Sequence, residues 1–318
     1  MDSFSEQTEP FRAELIIHCY RLLGSLGDAE DMVQETFLKA WQKLFQYRGD
    51  APLRAWLYKI ATNACLDELR KQSRRTLPQH NGPAANPNEP FAPPVTDPIW
   101  LDLLPNHYWT SGEAGPEARY SQRESVELAF LIAVHVLPPR QRAVLLLRDV
   151  LDWRTREVAE LLDTTESSVN SALNRARKSM AQHYHPKPTT SKEADDKLLS
   201  QYLQAWEHHD MQQLIGLIKH EATLAMPPSP AWYQGAANII TFLQNNVFME
   251  GMRWRLRPLQ ANAQPGFALY SFNPESGKFE PFGVQVVRVE NGRIADIILY
   301  VGPELVRRVR LVDEEENN

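Results

Sequence analysis

The sequence contains few cysteines, with only 2 among 318 residues, at Cys19 and Cys65. Two thiols cannot cross-link a chain of this length, so we expect a reducing, cytoplasmic environment. No apolar run follows a basic N-terminal start, so we expect no signal peptide, and no run of about 18 apolar residues predicts a membrane span. The sequence also lacks a glycine-rich phosphate loop and metal-binding cysteine pairs, so we expect no cofactor and no metal.

The chain carries a formal net charge of −6. Net acidity argues weakly against nucleic acid as a partner, but the local distribution of charge is more informative than the sum. The stretch "TTESSVNSALNRARKSM" combines short polar side chains with a basic end, and an acidic protein has no general need for such a surface.

Proline and periodicity divide the chain into segments. Residues 1–75 show helical spacing, as in Leu53, Leu57, Ile60 and Ala64 and in Val33, Phe37, Ala40 and Leu44. A proline-rich stretch without periodicity predicts a flexible tether at 76–117, in which "IWLDLLP" is apolar enough to dock on a partner. Helical spacing returns at 118–183, a shorter linker follows at 184–193, and 194–312 mixes helical patterns with β-rich runs separated by "NPESG" and "ENGR". Asn-Gly between two such runs predicts a hairpin, so we expect a few helices against a curved antiparallel sheet.

The segment from Trp153 to Met180 predicts a helix-turn-helix. "TREVAELLD" forms a short helix, and Thr165 is a suitable N-cap for a second one. In that second helix one apolar stripe consists of Val169, Leu173, Ala176 and Met180. The opposite side carries hydrogen-bonding and basic residues that could read base edges and hold phosphates, namely Ser167, Ser168, Asn170, Ser171, Asn174, Arg175, Arg177 and Lys178. An ordinary solvated helix in a bundle is the alternative.

Two longer blocks resemble a known family. "GDAEDMVQETFLKAWQKLFQYRGDAPLRAWLYKIATNACLDELRKQSRR" resembles region 2 of bacterial sigma factors, and "LPPRQRAVLLLRDVLDWRTREVAELLDTTESSVNSALNRARKSM" resembles region 4. Their order and spacing are similar to those of the extracytoplasmic-function (group IV) class, over residues 10–75 and 118–183. The turn departs from the family pattern because Asp163 and Thr164 stand where a glycine is common; aspartate tolerates the left-handed backbone that such a turn needs.

The resemblance implies roles for individual residues of the first block. The surface that grips the β′ clamp helices of core RNA polymerase would include Asp31, Gln34 and Glu35, with Phe37 and Trp41 packing beneath. Acidic residues that only complement a helix dipole are the alternative. Recognition and melting of the minus-ten element would involve Tyr47, Arg48, Arg54, Trp56, Tyr58, Lys59, Asn63, Arg70, Lys71, Arg74 and Arg75. Core packing of Trp56 and a solvated helix end for the "RKQSRR" cluster are the alternatives there.

The C-terminal segment, from "LLSQYLQAWEHHD" to "RIADIILYV", resembles a SnoaL-like (NTF2-like) domain, an α+β cone related to ketosteroid isomerase. In sigma factors with such a tail, the tail is implied to regulate the sigma domains through intramolecular contact. A pocket for a small apolar ligand, or else a packed core, would use some of Met226, Trp232, Tyr233, Phe242, Trp254, Phe267, Tyr270 and Phe282. For the candidate bases His208, His209, Asp210, His220, Glu221 and Asp296 we expect surface positions.

We therefore predict a multidomain chain with two all-α sigma domains, the second with a helix-turn-helix, and an α+β cone-shaped SnoaL-like domain. The predicted boundaries are 1–75, 76–117, 118–183, 184–193 and 194–312. The predicted function is promoter-directed transcription initiation with core RNA polymerase, without enzymatic chemistry. Two alternatives are a ligand-controlled helix-turn-helix regulator that acts without core polymerase, and a small-molecule enzyme that uses the C-terminal pocket.

Overall fold

A computed structural model of the chain describes residues 2–47, 49, 52–71, 75–96, 100–108, 119–184 and 192–310. The chain divides into two compact units. One combines Met1–Arg75 with Leu101–His185, and the other combines Thr76–Trp100 with Pro186–Asn318. Among the described residues no helix is both long and apolar enough to cross a membrane.

The first unit is helical throughout its described part. Its helices are α1 (Asp2–Thr8), α2 (Arg12–Leu23), α3 (Leu26–Gln42), α4 (Leu53–Glu68), α5 (Leu128–His135), α6 (Pro139–Leu145), α7 (Thr155–Leu161) and α8 (Glu166–His183). Gly24 ends α2 at a left-handed φ of +72°, and Ser25 begins α3 by accepting a hydrogen bond from the Asp28 N–H at 3.2 Å. The short α2–α3 connection therefore depends on the positive φ of Gly24 and on the side-chain cap of Ser25.

The apolar stripes predicted for α3 and α4 form much of this core. Val33, Ala40 and Leu57 are fully buried, and Ala64 is nearly so. Leu44 differs from the prediction, because α3 ends at Gln42 and Leu44 begins a short 3-10 helix in which its side chain is 40% exposed. The change of helix type rotates Leu44 out of the stripe to which its spacing assigns it.

The helix-turn-helix of α7 and α8 follows the predicted pattern closely. The Thr165 side chain accepts a hydrogen bond from the Ser168 N–H, which confirms the N-cap. Asp163 adopts a φ of +49° in the turn, so aspartate takes the left-handed position without glycine. The buried residues of α8 are the four predicted ones, Val169, Leu173, Ala176 and Met180.

The second unit packs helices against one sheet. Its helices are α9 (Lys192–Glu207), α10 (Met211–Leu217), α11 (Ala236–Asn246) and α12 (Pro303–Arg310), and its strands are β1 (Ile218–Ala225), β2 (Trp232–Gln234), β3 (Trp254–Ala261), β4 (Gln264–Asn273), β5 (Lys278–Glu290) and β6 (Arg293–Val301). In the described part the strand order is β2-β1-β6-β5-β4-β3. One buried cluster, which includes Tyr202, Trp206 and Phe267, fills the space between helices and sheet.

The sheet is mixed, whereas the sequence predicts an antiparallel one. β1 pairs with β6 in parallel, and the other neighbours pair antiparallel. The parallel pair arises because β6, the last strand, lies beside the first strand instead of at an edge. Register shifts at Leu269/Tyr270 and Arg288/Val289 increase the local twist and curve the sheet as predicted. Asn291 and Gly292 both have positive φ in the β5–β6 turn, which confirms the Asn-Gly hairpin.

The proline-rich stretch predicted as a tether is divided between the units. Its described first part lies on the second unit, where Ala85 N–H donates to the Trp232 carbonyl at 2.8 Å and Trp232 Nε1 donates to the Gly82 carbonyl at 2.9 Å. Ser229 Oγ donates to the Ala92 carbonyl at 2.9 Å. In the first unit, Leu101, Leu103 and Leu104 are buried. Hydrogen bonds to the backbone of this stretch thus hold it in place, in contrast to the free tether that the absence of periodicity suggested.

Candidate nucleic-acid interface

The outward face of α8 is the most exposed polar surface among the predicted contacts. The described residues of that face that are exposed are Ser167, Ser168, Asn170, Ser171, Asn174, Arg175 and Lys178. Thr165 Oγ1 donates a hydrogen bond to Ser168 Oγ at 2.9 Å, so this serine is partly engaged in capping the helix. The short polar residues lie at the N-terminal half of α8 and the cations follow, an arrangement that suits base edges first and phosphates second.

Arg177 lies differently from the other residues predicted for this face. Its Nε and Nη2 atoms donate to the two carboxylate oxygens of Asp149 at 2.8 and 2.6 Å. The Asp149 side chain is 2% exposed and that of Arg177 is 36% exposed. The hydrogen bonds from Arg177 to this carboxylate raise the pKa of the guanidinium. Arg177 therefore neutralises a buried acid, a role that its place in the sequence pattern does not reveal.

An aromatic pair lies at the start of α4. The rings of Tyr47 and Trp56 stack with centroids 4.9 Å apart and an interplanar angle of 23°, and both side chains are half-buried. Asn63 is exposed two turns along the same helix. Aromatic rings are chemically suited to receive an unstacked base. Trp56 is thus neither a core residue nor a fully exposed one.

Three residues predicted to contact the minus-ten element are engaged within the protein. Tyr58 is 1% exposed, so its ring cannot receive a base in this structure, and burial raises its pKa. Arg54 donates to both carboxylate oxygens of Glu14 at 2.7–3.0 Å. Arg75, with its side chain 13% exposed, pairs with Asp28 at 2.7 Å. Each side chain has a partner distant in sequence, Glu14 for Tyr58 and Arg54 and Asp28 for Arg75, and the predicted minus-ten roles of the two arginines stay predictions.

The remaining cations near the end of α4 lie at the surface. Arg70 and Lys71 are exposed and pair with Asp67 and Glu68, one turn earlier, at 2.6 and 3.1 Å. Exposed pairs of this kind contribute little to stability and exchange readily for phosphate. Arg48 and Arg74 lie outside the described residues, so their predicted contacts stay predictions.

The predicted polymerase surface continues further along α3 than the sequence suggested. Asp31 and Gln34 are exposed, and Glu35 pairs with Lys39 at 2.5 Å. Beyond them the exposed large apolar side chains are Leu38 at 54%, Trp41 at 45%, Leu44 at 40% and Phe45 at 82%. Phe37 is half-buried beneath Arg12, whose guanidinium carbon lies 4.9 Å from the ring centroid. The prediction that Trp41 packs beneath the surface is therefore not met.

The spacing of these exposed residues carries a signal that sequence reasoning missed. Residues 31, 34, 38 and 41 of α3 alternate by three and four positions, and the exposed Phe45 follows in the 3-10 helix. That alternation is the seam spacing with which one helix packs along another. Sequence reasoning considered only the buried stripe at Val33 and Ala40. The exposed seam lies on another side of the same helix, and that second side was the missed signal.

Comparison with known proteins identifies the family. Family models match residues 9–75 (Sigma-70 region 2), 128–180 (Sigma-70, region 4) and 199–297 (SnoaL-like domain). The chain is 41% identical over 319 residues to the ECF RNA polymerase sigma factor SigG of Mycobacterium tuberculosis H37Rv, covering 98% of this chain and 84% of the relative. The chain is an ECF sigma factor.

Other relatives agree with this assignment. The ECF RNA polymerase sigma factor SigW of Bacillus subtilis is 24% identical over 194 residues, which cover 56% of this chain and 87% of the relative. The crystal structure of the Mycobacterium tuberculosis extracytoplasmic function sigma factor SigJ has the same fold, with a TM-score of 0.60 at 20% identity, over 96% of this chain and 98% of that one. Sigma factors are not enzymes, and they bind core RNA polymerase and promoter DNA.

In this sigma factor regions 2 and 4 contact each other within one compact unit. Arg142 of α6 is 3% exposed and donates to the Leu22 carbonyl at the C-terminus of α2, as well as to the His135 carbonyl at 3.1 Å. His135 Nε2 lies 3.2 Å from the Arg21 carbonyl. The last carbonyls of α2 lack helical partners, so a cation from region 4 satisfies them and complements the helix dipole.

A second contact joins α4 of region 2 directly to the helix-turn-helix of region 4. Lys59 of α4 donates to Asp163 Oδ1 at 2.6 Å and to the Glu160 carbonyl at 3.1 Å. Asp163 forms the turn before α8. The rings of Tyr58 and Trp153 lie 5.2 Å apart beside this pair. The turn of the helix-turn-helix thus pairs with Lys59, which is one of the predicted minus-ten contacts.

The SnoaL-like domain holds the residues considered above as bases and pocket lining. His208, Asp210, His220 and Glu221 are exposed, and the carboxylate of Asp296 accepts from Arg288 at 2.5 Å. His209 is half-buried, and burial lowers its pKa. Most of the aromatic and apolar candidates pack into one cluster, which includes Met226, Tyr233, Phe242, Trp254 and Phe267 with Phe282 against it. Within the described ranges no group of three His, Cys, Asp or Glu side chains could hold a metal ion.

Proposed function

We propose that this ECF sigma factor directs core RNA polymerase to promoters with a minus-thirty-five and a minus-ten element. The observation that supports this most strongly is the outward face of α8, where exposed Ser167, Asn170 and Asn174 precede exposed Arg175 and Lys178. A recognition helix that lies in the major groove needs this combination of hydrogen-bonding and cationic groups. Region 4 would therefore read the upstream element.

Region 2 would open the downstream element. The stacked Tyr47 and Trp56 offer aromatic surface, and the amide of Asn63 is exposed two turns further along α4. Arg70 and Lys71 hold their cations just beyond the C-terminal end of this helix, where they can follow the strand that carries the unstacked base. Tyr58 supports this surface from within the core and makes no base contact in the proposal.

Core RNA polymerase would bind along α3, in the cytoplasm where the enzyme acts. The β′ clamp helices would meet the carboxylate of Asp31 and the amide of Gln34, and then the apolar row of Leu38, Trp41 and Phe45. We infer that the charged end sets orientation and that burial of the apolar end supplies affinity. Phe45 alone exposes 82% of its surface, which is unfavourable in water unless a partner covers it.

Co-purification tests this surface. Asp31→Arg and Phe45→Ala should each reduce retention of core polymerase by the tagged full chain, because one reverses charge and the other removes buried area. Glu6→Arg is the matched control, since Glu6 is exposed on α1, away from the seam. Retention equal to wild type in both variants would contradict the assignment of the surface.

We infer that the SnoaL-like domain regulates the sigma factor by holding the segment that joins regions 2 and 4. Val95 N–H donates to the Pro228 carbonyl at 3.0 Å, and Asn245 Nδ2 donates to the Pro87 carbonyl at 3.4 Å. The Phe91 ring lies 5.7 Å from that of Phe242. A segment held at these points cannot act as a free tether, so the domain shortens the reach available to region 4.

The distance between the two promoter elements makes this restraint inhibitory. Elements about 25 base pairs apart are separated by roughly 85 Å of duplex. Regions 2 and 4, in contrast, touch through Lys59 and Asp163 at 2.6 Å. Both elements can be occupied only after this contact breaks, and release of the joining segment should favour the open form.

Run-off transcription with purified core polymerase tests the whole proposal. A release variant, Phe91→Ala with Ser229→Ala and Asn245→Ala, should raise the transcript yield at limiting sigma factor. The matched control is Asn238→Ala with Thr241→Ala, because these α11 side chains bond only to nearby backbone carbonyls of Gln234 and Ala237.

The outcomes separate the two parts of the proposal. Equal yields from wild type and the release variant would contradict regulation through the joining segment and leave the sigma activity intact. Absence of both transcript and core binding in wild type would contradict the sigma activity itself. Tight sequence-specific binding without core polymerase would then favour a stand-alone regulator.

A further inference from the structure

The outer face of the SnoaL-like sheet carries a row of arginines that the proposed function does not use. Arg253, Arg255 and Arg257 alternate along and just before β3 and are exposed, whereas Trp254 and Leu256 between them are buried in the core. Successive strand residues point to opposite faces, so the three guanidiniums share one face. We call these residues, together with Phe272 and Phe279, the arginine face.

Two of the guanidiniums lie on aromatic rings. The Cζ atom of Arg253 is 3.8 Å from the Phe272 ring centroid, and that of Arg255 is 4.1 Å from the Phe279 centroid. Phe272 and Phe279 are register partners on β4 and β5, so the rings are supported by the sheet. Stacking fixes the plane of each guanidinium and leaves its N–H edge free to point at a ligand.

One carboxylate lies against β3 beside the row, because Glu207 Oε1 accepts a hydrogen bond from the Leu256 N–H at 2.7 Å. Among the described residues no ion pair involves any of the three arginines, although Arg288 and Lys219 elsewhere in the sheet are both paired. The nearby Glu280 directly follows Phe279 on β5 and pairs in register with Ser271, so strand alternation sends its side chain to the face opposite Phe272 and Phe279. The Glu280 carboxylate accepts from Ser276 Oγ at 2.8 Å.

We propose that the arginine face binds the sugar–phosphate backbone of duplex promoter DNA. Three guanidiniums at two-residue spacing span about 14 Å, which is the axial length of roughly four base pairs. Guanidinium edges match phosphate geometry, and a line of them neutralises successive phosphates of one strand. The SnoaL-like domain would thus add a sequence-independent contact to those of regions 2 and 4.

The stacking decides between duplex and single-stranded DNA. Single-strand binding proteins present open aromatic rings on which bases stack. Here guanidiniums lie over the faces of Phe272 and Phe279, so these rings offer no platform for bases. Charge on β3 could also serve to protect this edge strand against aggregation. Charges of either sign would give that protection, and they would not need to stack on aromatic rings.

The full chain and a fluorescent 40-base-pair duplex provide the test, with affinity measured over a range of salt concentrations. Three phosphate contacts predict that Arg253→Gln with Arg255→Gln and Arg257→Gln lowers the slope of log affinity against log salt by about 2.7. The matched control removes three exposed cations of the same unit outside the arginine face, by Lys197→Gln, Arg293→Gln and Arg307→Gln.

A lower slope in the triple variant with little change in the control supports the proposal. Equal slopes in wild type and the triple variant would overturn it, and so would an equal fall in the control, which would indicate only general charge. An acidic protein partner is the competing occupant: if a glutamate-rich peptide loses binding in the triple variant while the DNA slope does not change, the face belongs to that partner and the proposal fails.

Two further measurements do not depend on the stability of the glutamine variant. Arg253→Lys with Arg255→Lys and Arg257→Lys keeps the charge and loses the planar edge, so affinity should fall several-fold with an unchanged salt slope. In wild type, duplex DNA should protect Arg253, Arg255 and Arg257 from phenylglyoxal, as measured by mass spectrometry. Full reactivity of all three arginines with phenylglyoxal in the complex would refute the contact. Arg175→Gln on α8 should weaken DNA binding whichever result is obtained.

Discussion

Arg177→Ala should destabilise the sigma factor far more than its position near the protein surface suggests. Arg177 supplies both charged hydrogen bonds to the Asp149 carboxylate, whose side chain is 2% exposed. Its removal leaves a buried carboxylate without a counter-charge, a change that typically costs 3–5 kcal/mol. Because the Arg177 side chain is 36% exposed, water can partly replace it, and we expect a loss of about 3 kcal/mol.

Urea unfolding of the full chain measures this loss, and a neighbour on the same helix provides the control. Arg175 is exposed, so Arg175→Ala should change the unfolding free energy by less than about 0.5 kcal/mol. For DNA binding we expect the opposite ranking of the two variants, with the larger effect at Arg175. Arg175→Ala should lower the salt slope by about 0.9, while Arg177→Ala should affect it less because its guanidinium already faces a carboxylate.

A second substitution at Asp149 should rescue the stability lost with Arg177. Replacement of both partners, by Arg177→Met with Asp149→Leu, removes the buried charge together with its cation and should recover most of the lost stability. A loss below about 1 kcal/mol for Arg177→Ala, or no recovery in the double variant, would refute the claim that burial of Asp149 makes this pair important.

Three other substitutions test the packing around α2. Arg142→Met should cost about 3 kcal/mol in urea unfolding, because the carbonyl of Leu22 loses its charged donor; a loss below about 1 kcal/mol would contradict this. Burial lowers the pKa of His18 to about 3 from 6.5, so the unfolded chain binds more protons between these values and stability should fall as the pH drops from about 6.5 towards 3. His18→Gln should flatten that fall, and an unchanged pH dependence of the urea midpoint would argue otherwise. Gly24→Ala should cost about 1–3 kcal/mol, since φ is +72° and a Cβ would lie 2.5 Å from Leu101 Cδ2; an unchanged melting temperature would be inconsistent with that contact.

Local patterns predicted the helices, the turn chemistry and the outward face of α8. These features depend on neighbours within a few positions, as in the capping of α8 by Thr165 and the left-handed backbone at Asp163. The same logic misplaced Leu44, since a helical repeat carries no information about where the helix changes to a 3-10 turn. It also overlooked Leu38 and Phe45, because apolar residues at helical spacing predict burial unless a partner surface is considered.

By itself, then, the sequence determined the family, the three kinds of domain and the polar face of the recognition helix, because periodicity and capping act over short distances along the chain. Only the tertiary structure decided that Arg177 neutralises Asp149, that Lys59 faces the turn before α8, and that the proline-rich stretch lies on the SnoaL-like domain. Each of these depends on partners 28 or more residues apart, and the composition of a segment does not encode which distant carboxylate or carbonyl will meet it.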